Sequence, residues 1–362
     1  MSDVNLLYTE VEDDLRATVR KLLTDRCDPA RVTALYDGDR SIVDGLWRAL
    51  GAELGLAGLL VAEEHGGAGA SAREAAVVLE ELGRAAAPVP FLTSAVIATL
   101  VLRDSEDGTG LLGELASGER TAALAVPLSL APHAALPAVS VPDGRLTGTV
   151  TSVAGAIEAD VLLVLADGAV YAVPAAEAVV TPVISLDMTR QLADVRLDGA
   201  VGTRVVADAE TAVRDALAAG AALLASEQVG VAQWCLETTV AYLKERKQFG
   251  RAVGGFQALK HRLADLATGV ESATAAARYA AATLAAGDDD LLVASSVAQA
   301  YVSDLAVFAA EEAVQLHGGI GMTWEHPAHL YLKRAKADQI ALGTAGAHRA
   351  RLAELVDLPA PQ

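Results

Sequence analysis

Aromatic residues and cysteines are scarce in this sequence. Phe, Trp and Tyr make up 4% of the 362 residues, so small aliphatic side chains must fill the cores. Cys27 and Cys235 are the only cysteines, too few for a disulfide framework and without the spacing of metal ligands. We therefore expect a protein of a reducing compartment with no metal site.

Positive charge is also in short supply, because 28 Lys and Arg oppose 47 Asp and Glu, for a formal charge of -19. Nucleic-acid binding requires a concentrated basic surface, so we exclude it. The sequence has no uninterrupted apolar run of membrane-spanning length, and residues 1–5 have neither the basic nor the apolar region of a secretory signal. We expect a cytoplasmic protein.

The pattern of hydrophobic residues changes twice along the chain. Residues 1–118 have apolar side chains at helical spacing, and the predicted helices cover residues 13–23, 41–54, 71–83 and 92–103. Ser41 is a predicted N-cap, and Ser71 with Glu74 forms a predicted capping box. Residues 119–207 alternate in short runs, and the candidate strands are 122–126, 138–141, 160–165, 169–173 and 195–197.

Residues 208–362 return to long helical patterns. The predicted helices cover residues 209–247, 256–287, 291–317, 325–341 and a last one ending near Val356, in an antiparallel bundle. Lys333, Arg334 and Lys336 are predicted on a solvated face. The order of elements predicts an α+β fold with an N-terminal helical domain, a middle β-domain and a C-terminal helical bundle.

Three glycines interrupt the helical pattern within residues 315–321, Q-L-H-G-G-I-G. Glycine permits positive φ and close approach of a ligand to the backbone, whose exposed N–H groups suit a phosphate. A glycine C-cap followed by a tight turn explains the same residues. His317 is predicted to be a capping or packing residue.

A second segment, residues 242–250, reads Y-L-K-E-R-K-Q-F-G and precedes F-Q-A-L-K-H at residues 256–261. It places a cation, an amide and an aromatic ring at a helix end, where they could hold a charged, planar cofactor. With residues 315–321, and with the glycine-rich turn at 58–69, this segment resembles the acyl-CoA dehydrogenase family. The resemblance covers nearly the whole chain.

The resemblance implies an FAD-dependent enzyme that desaturates acyl-CoA thioesters and passes electrons to an electron-transfer flavoprotein. Family members share each FAD between two subunits, so it also implies a dimer or tetramer. The residues matching the family's contacts to the pyrophosphate and adenosine side of FAD are Arg246, Gln248, Phe249, Gln257, Gln315, Gly318, Gly319 and Thr344.

Two family features are altered. The loop that holds the flavin ring is replaced by residues 126–132 and 151–154, where Ser129 and Thr151 retain hydroxyls. The family's catalytic glutamate occupies one of two positions, which here are Leu342 and Gly220, and neither residue can accept a proton.

These changes leave three functional hypotheses. The chain is the base-lacking subunit of a heteromeric dehydrogenase of the actinobacterial type, with a homologous catalytic partner and a linear, branched or sterol acyl group as substrate. Alternatively it is a self-sufficient homo-oligomer with an unrecognised base, or a non-catalytic acyl-CoA-binding scaffold. The candidates for an unrecognised base are Glu227, Asp215 and Glu210.

Overall fold

The computed structural model describes residues 5–103, 105 and 110–359. The absence of a secretory signal was predicted from residues 1–5, and residues 1–4 of that segment lie outside the described part of the chain.

The N-terminal region is helical. Its α-helices are α1 (Glu10–Arg26), α2 (Pro29–Thr33), α3 (Ser41–Trp47), α4 (Ala72–Arg84), α5 (Thr99–Leu102) and α6 (Leu111–Ala116). The predicted capping box at Ser71 and Glu74 is confirmed. Ser41 is not an N-cap: it is the first residue of α3, and its backbone N–H donates to Asp39. π-Helical segments, Arg48–Glu53 after α3 and Phe91–Ala98 before α5, continue the chain where regular α-helix was predicted.

The middle region forms two small sheets from seven strands. The strands are β1 (Ala122–Leu124), β2 (Leu146–Ala154), β3 (Val161–Ala166), β4 (Ala169–Pro174), β5 (Ala178–Val183), β6 (Leu192–Ala200) and β7 (Thr203–Val206). One sheet has the order β1-β3-β4-β7, with β1 and β3 parallel, and the other has the order β2-β6-β5. β2 pairs with β6 in antiparallel fashion, with register shifts after Leu146 and after Val150.

In the middle region the sequence prediction missed three strands, and residues 138–141, predicted as a strand, do not form one. β2, β5 and β7 contain exposed or polar positions, and β2 also contains Gly148, so their alternation is weak in the sequence. Residues 138–141 make only two isolated bridges, Val139 to Ala166 and Ser140 to Thr147, because Pro142 ends the segment before a ladder can form.

The C-terminal region is a bundle of long helices: α7 (Ala209–Glu245), α8 (Gln257–Ala286), α9 (Leu291–His317), α10 (Ala328–Asp338) and α11 (Ala345–Leu355). A two-strand hairpin, β8 (Lys247–Gln248) and β9 (Arg251–Ala252), separates α7 from α8. Ser295 and Gln299 of α9 donate to backbone oxygens of Ala218 and Ala221. The residue numbers rise together on both helices, so α7 and α9 run parallel and end on the same side.

α9 passes into a short turn, and residues Leu291–Met322 together are long and apolar enough to cross a membrane by length and composition. Half of the most apolar stretch of this segment is buried within the bundle, as expected for a helix that packs in a helical core. The order of regions confirms the predicted α+β fold, whereas the domain boundaries at residues 118 and 207 stay predictions.

Candidate functional site

The ends of α7 and α9 lie beside each other. The ring of Tyr242, near the end of α7, stacks on His317, the last residue of α9, with centroids 4.5 Å apart. Arg246 follows Tyr242 by one helical turn, and Gly318 directly follows His317. The two sequence motifs are therefore adjacent in space. We call the region formed by residues 246–250 and 315–319 the helix-end surface.

The hairpin after α7 holds its aromatic residue in the open. The backbone N–H of Arg246 donates to Tyr242, and the Arg246 carbonyl accepts from Val253, so the hairpin is fixed to the helix end. Phe249 has φ +51° and is 91% exposed, an unusual conformation and environment for a phenylalanine. The described residues provide it with one ring neighbour, Phe256 at 6.1 Å. Such a ring is available to pack against another molecule.

The glycines after α9 leave space above the backbone. A Cβ built on Gly318 or Gly319 meets no described heavy atom within 4 Å, and Gly318 has φ +63°. Gly321 differs, because a Cβ there would lie 2.5 Å from the carbonyl oxygen of Val314. Gln315 and both open glycines are exposed. The arrangement permits a ligand to approach Gly318 and Gly319 closely, while Gly321 serves packing.

Gln257 and Thr344 have different surroundings. Gln257 is exposed in the first turn of α8, whose N-terminus has no side-chain cap hydrogen bond. Thr344 caps α11, where its hydroxyl accepts from Ala347, and α11 packs against the middle of α9 through Arg349 and Asp304. Asp304 precedes the end of α9 by about 20 Å at helical rise. The structure therefore places Thr344 apart from the helix-end surface, and its cofactor contact stays a prediction.

Gly220 and Leu342, the two positions that the resemblance assigns to the catalytic base, face each other. A Cβ built on Gly220 would lie 2.9 Å from Ile97 and 3.3 Å from the Leu342 side chain. Leu342 is buried and has φ +53°, so its backbone conformation is one that leucine rarely adopts. Both positions are surrounded by aliphatic groups, and neither has room for a carboxylate without displacing them.

The cavity beside Leu342 is very small. Its volume is about 20 Å³, and its lining comprises Thr93, Ile97, Leu124, Val126, Leu128, Ala154, Leu217 and Leu342. The backbone N–H of Leu342 donates to the carbonyl of Leu128 at 2.7 Å, which ties this position to the altered ring loop. Ligand pockets typically measure about 300–1,000 Å³, so neither a flavin ring nor an acyl chain fits here.

Glu227, a candidate base, is held by two arginines. Arg190 donates to both of its carboxylate oxygens, and Arg334 forms an ion pair with it as well. Burial alone would raise the pKa of Glu227, but the charges of Arg190 and Arg334 keep it below the usual value. A carboxylate in this state is a poor proton acceptor.

The prediction that Arg334 faces solvent is wrong. Arg334 is 1% exposed and also pairs with Asp187 at 2.8 Å, while Arg190 pairs with Asp338 at 2.6 Å. Arg334 shares the buried face of α10 with Tyr331 and Asp338, at a spacing of three to four residues. That spacing was the available signal in the sequence. The network joins the loop before β6 to α7 and α10.

The other two candidate bases, Glu210 and Asp215, do not line the cavity beside Leu342. Glu210 is exposed and pairs with Arg214. Asp215 is exposed and lines a separate cavity of about 340 Å³ beside the start of α7, together with Arg204 and Thr211. Among the residues that the structure describes, no group of three or more His, Cys, Asp or Glu side chains could hold a metal ion.

Comparison with known proteins identifies the N-terminal and C-terminal helical regions as domains of one family. Residues 9–110 match the model of the acyl-CoA dehydrogenase N-terminal domain, and residues 211–356 match that of the acyl-CoA dehydrogenase C-terminal domain. The acyl-CoA dehydrogenase IpdE2 of Mycobacterium tuberculosis is 37% identical over 321 residues, which cover 89% of each chain.

Two further relatives are informative. FadE34 of Mycobacterium tuberculosis is 40% identical over 298 residues, which cover 82% of this chain but 40% of FadE34. A chain of the ChsE4-ChsE5 complex from the same organism is 29% identical with a TM-score of 0.85, covering 98% of this chain and all of that one.

The chain belongs to the acyl-CoA dehydrogenase family, a family of oxidoreductases with FAD as cofactor. The predicted family membership and cofactor are thereby confirmed. The exposed cation, ring and open glycines of the helix-end surface fit the phosphate and adenosine part of such a cofactor. The cavity at Leu342 does not fit its ring.

Proposed function

We propose that this chain is the base-lacking subunit of a heteromeric acyl-CoA dehydrogenase. It contributes the helix-end surface to an FAD whose ring, together with the catalytic carboxylate, is held by a homologous partner subunit. The cavity at Leu342 carries this proposal, because the position that the resemblance assigns to the catalytic base borders a cavity of only about 20 Å³ with a mainly aliphatic lining.

The helix-end surface supplies suitable chemistry. The guanidinium of Arg246 would neutralise the charge of the pyrophosphate. The same guanidinium would also offset the partial negative charge at the C-terminal ends of α7 and α9. Gln248 and Gln315 would hydrogen-bond the ligand, and Phe249 would pack against it. Gln257 would act from the first turn of α8, where uncapped N–H groups favour an anion.

In the assembled enzyme, bound FAD would supply the hydride acceptor for the β-hydrogen of the thioester. This chain's own residues do not touch the reacting carbon atoms under the proposal. They bind the cofactor's distal half, fix its position and cover it from water. Holding a reactant within a fraction of an ångström of its productive position has a large effect on rate, so this contribution still controls turnover.

The relatives support an assembly of unlike chains. One similar structure is a complex of ChsE4 with ChsE5. The structure of a steroid acyl-CoA dehydrogenase formed by Tcur3481 and Tcur3483 is also similar. We accordingly place sterol side-chain thioesters among the candidate substrates, and a cytoplasmic electron-transfer flavoprotein as the electron acceptor.

The alternatives have weaker support. A self-sufficient enzyme needs a base, yet Glu227 is ion-paired, and Glu210 and Asp215 lie away from the cavity at Leu342. A flavin-free scaffold would leave the exposed Phe249 and the open Gly318 without a use.

Retention of FAD by the assembled complex tests the proposal. The complex is isolated through a tag on this chain, and Arg246→Ala is expected to lower FAD retention at least about tenfold through loss of a charge-assisted phosphate contact. Lys247→Ala is the matched control, since it removes the neighbouring positive charge outside the assigned set. FMN lacks the adenosine half, so its binding should not distinguish Arg246→Ala from wild type.

Equal FAD retention by wild type and Arg246→Ala would refute the assignment of the helix-end surface. Equal losses for Arg246→Ala and Lys247→Ala would reduce it to a non-specific charge effect.

A further inference from the structure

His317 is the buried member of the helix-end surface, and its ring belongs to a ladder of five rings. Its ring stacks on Tyr242 and lies 4.2 Å from His326, the residue two positions before α10. His326 in turn lies 6.5 Å from Trp234 of α7, which stacks on Tyr331 of α10 at 3.5 Å. The ladder therefore connects the ends of α7 and α9 to α10.

Hydrogen bonds determine where the protons of the two histidines reside. Nδ1 of His317 lies 2.7 Å from the carbonyl oxygen of Ala313, which can only accept, so Nδ1 bears the proton. Nδ1 of His326 accepts from the backbone N–H of Ala328, so the proton of a neutral His326 resides on Nε2. The Nε2 of His317 is buried, with no hydrogen-bond partner among the described residues.

If His317 Nε2 were protonated, its N–H would have no hydrogen-bond acceptor among the described residues. It would place a positive charge inside a buried stack, where loss of solvation disfavours the charged form. Behind His326 lie His329 and Lys333, and Lys333 Nζ is 3.4 Å from His329 Nδ1, so this side offers further positive charge. On the α7 side the stack presents Tyr242, which is no counter-ion.

We propose that His317 is a positioning residue whose protonation separates Arg246 from Gly318 and thereby releases the cofactor at acidic pH. The inference rests on the proposed function, because it concerns the same helix-end surface. In its neutral form His317 keeps the Tyr242 stack intact, and in its charged form the stack opens.

The direction of the pH effect follows from burial, which lowers the pKa of His317 below its ordinary 6.5. Burial and the neighbouring His317 also lower the pKa of His326. The unfolded or opened chain therefore binds more protons than the folded one. The stability of the closed stack is complete above pH 6.5 and is lost as the pH falls below it.

The test compares FAD retention by the tagged complex between about pH 8 and pH 5, the range in which histidine titrates. Wild type should lose at least about threefold more FAD at the acidic end, whereas His317→Phe, which keeps an aromatic ring without a titrating nitrogen, should show little change. His317→Ala should lower retention at every pH. His65→Phe, a substitution at an exposed histidine outside the ladder, is the control and should keep the wild-type profile.

A His317→Phe complex with the wild-type pH profile would overturn the inference. The outcome for Arg246→Ala separates the two proposals, because unchanged retention in that variant at all pH values refutes the proposed function itself. Histidine titration by NMR on the full chain provides a second measurement. The pKa of His326 should rise in His317→Phe, because a charged neighbour has been removed, and an unchanged value would contradict the coupling.

Discussion

At the scale of single residues, Leu342 is part of a core, although the resemblance assigns a catalytic base to its position. It combines burial, a left-handed backbone conformation and a hydrogen bond from its N–H to Leu128. The substitution of leucine was visible in the sequence through the resemblance. The packing of aliphatic neighbours around Leu342 could not be seen in the sequence, because Ile97 and Leu128 are distant in the chain and come together only on folding.

We expect Leu342→Glu to lower the free energy of unfolding by about 3 kcal/mol or more, because an unpaired carboxylate would enter an aliphatic cavity. The variant should gain no dehydrogenase activity, since the cavity has no room for ring or acyl chain. Urea unfolding gives the stability, and anaerobic bleaching of added FAD by acyl-CoA gives the activity. Leu342→Met is the control of similar volume, expected to cost less than about 1.5 kcal/mol. Flavin bleaching by Leu342→Glu would contradict our description of the cavity.

At the scale of elements, α7 brings together most of the features discussed. It contains Gly220, the ion-paired Glu227 and Trp234 of the ring ladder, and Arg246 is its C-cap. Its boundaries agree with the predicted residues 209–247 to within two residues, because a long apolar pattern defines it. The buried face could not be predicted equally well, since alanines on several sides leave little asymmetry to interpret.

Two glutamates of α7 provide a matched comparison. Glu227 and Glu237 are both paired with arginine, but Glu227 is buried between Arg190 and Arg334, whereas the Glu237 side chain is 60% exposed beside Arg84. We expect Glu227→Gln to lower the free energy of unfolding by about 3 kcal/mol or more, because two buried guanidinium groups lose the carboxylate they share and keep only Asp187 and Asp338 as counter-ions. Glu237→Gln should cost less than about 1 kcal/mol. Similar decreases in the free energy of unfolding of the two variants would show that the buried ion pairs contribute no more stability than the exposed one.

At the scale of the whole molecule, the order of helical, β and helical regions was predictable from hydrophobic spacing, as was the class of cofactor from two short motifs. The adjacency of those motifs was not, because it depends on α7 and α9 running parallel. Arg334 illustrates the same limit, since a cation's burial depends on partners such as Asp187 that lie far away in the sequence.

We expect the isolated chain not to dehydrogenate acyl-CoA. We expect the proposed complex with a partner subunit to do so. Loss of a positioned base costs about 10² to 10⁴ in rate, and the closed cavity removes the hydride acceptor as well. The measurement is anaerobic flavin bleaching by a panel of acyl-CoA thioesters, with FAD content determined for chain and complex. Rapid bleaching by the isolated chain with FAD bound would favour the self-sufficient enzyme.

The exposure of Phe249, Met322 and Trp324 has a consequence for the life of the protein in a cell. These side chains are 91%, 79% and 62% exposed, and large apolar groups in the open are what chaperones and proteases recognise. Under the proposed function, a copy made in excess of the partner subunit would expose all three, while an assembled copy would cover those that the interface buries. Balanced synthesis of the two chains would then matter for abundance, and surplus copies would be removed by quality control.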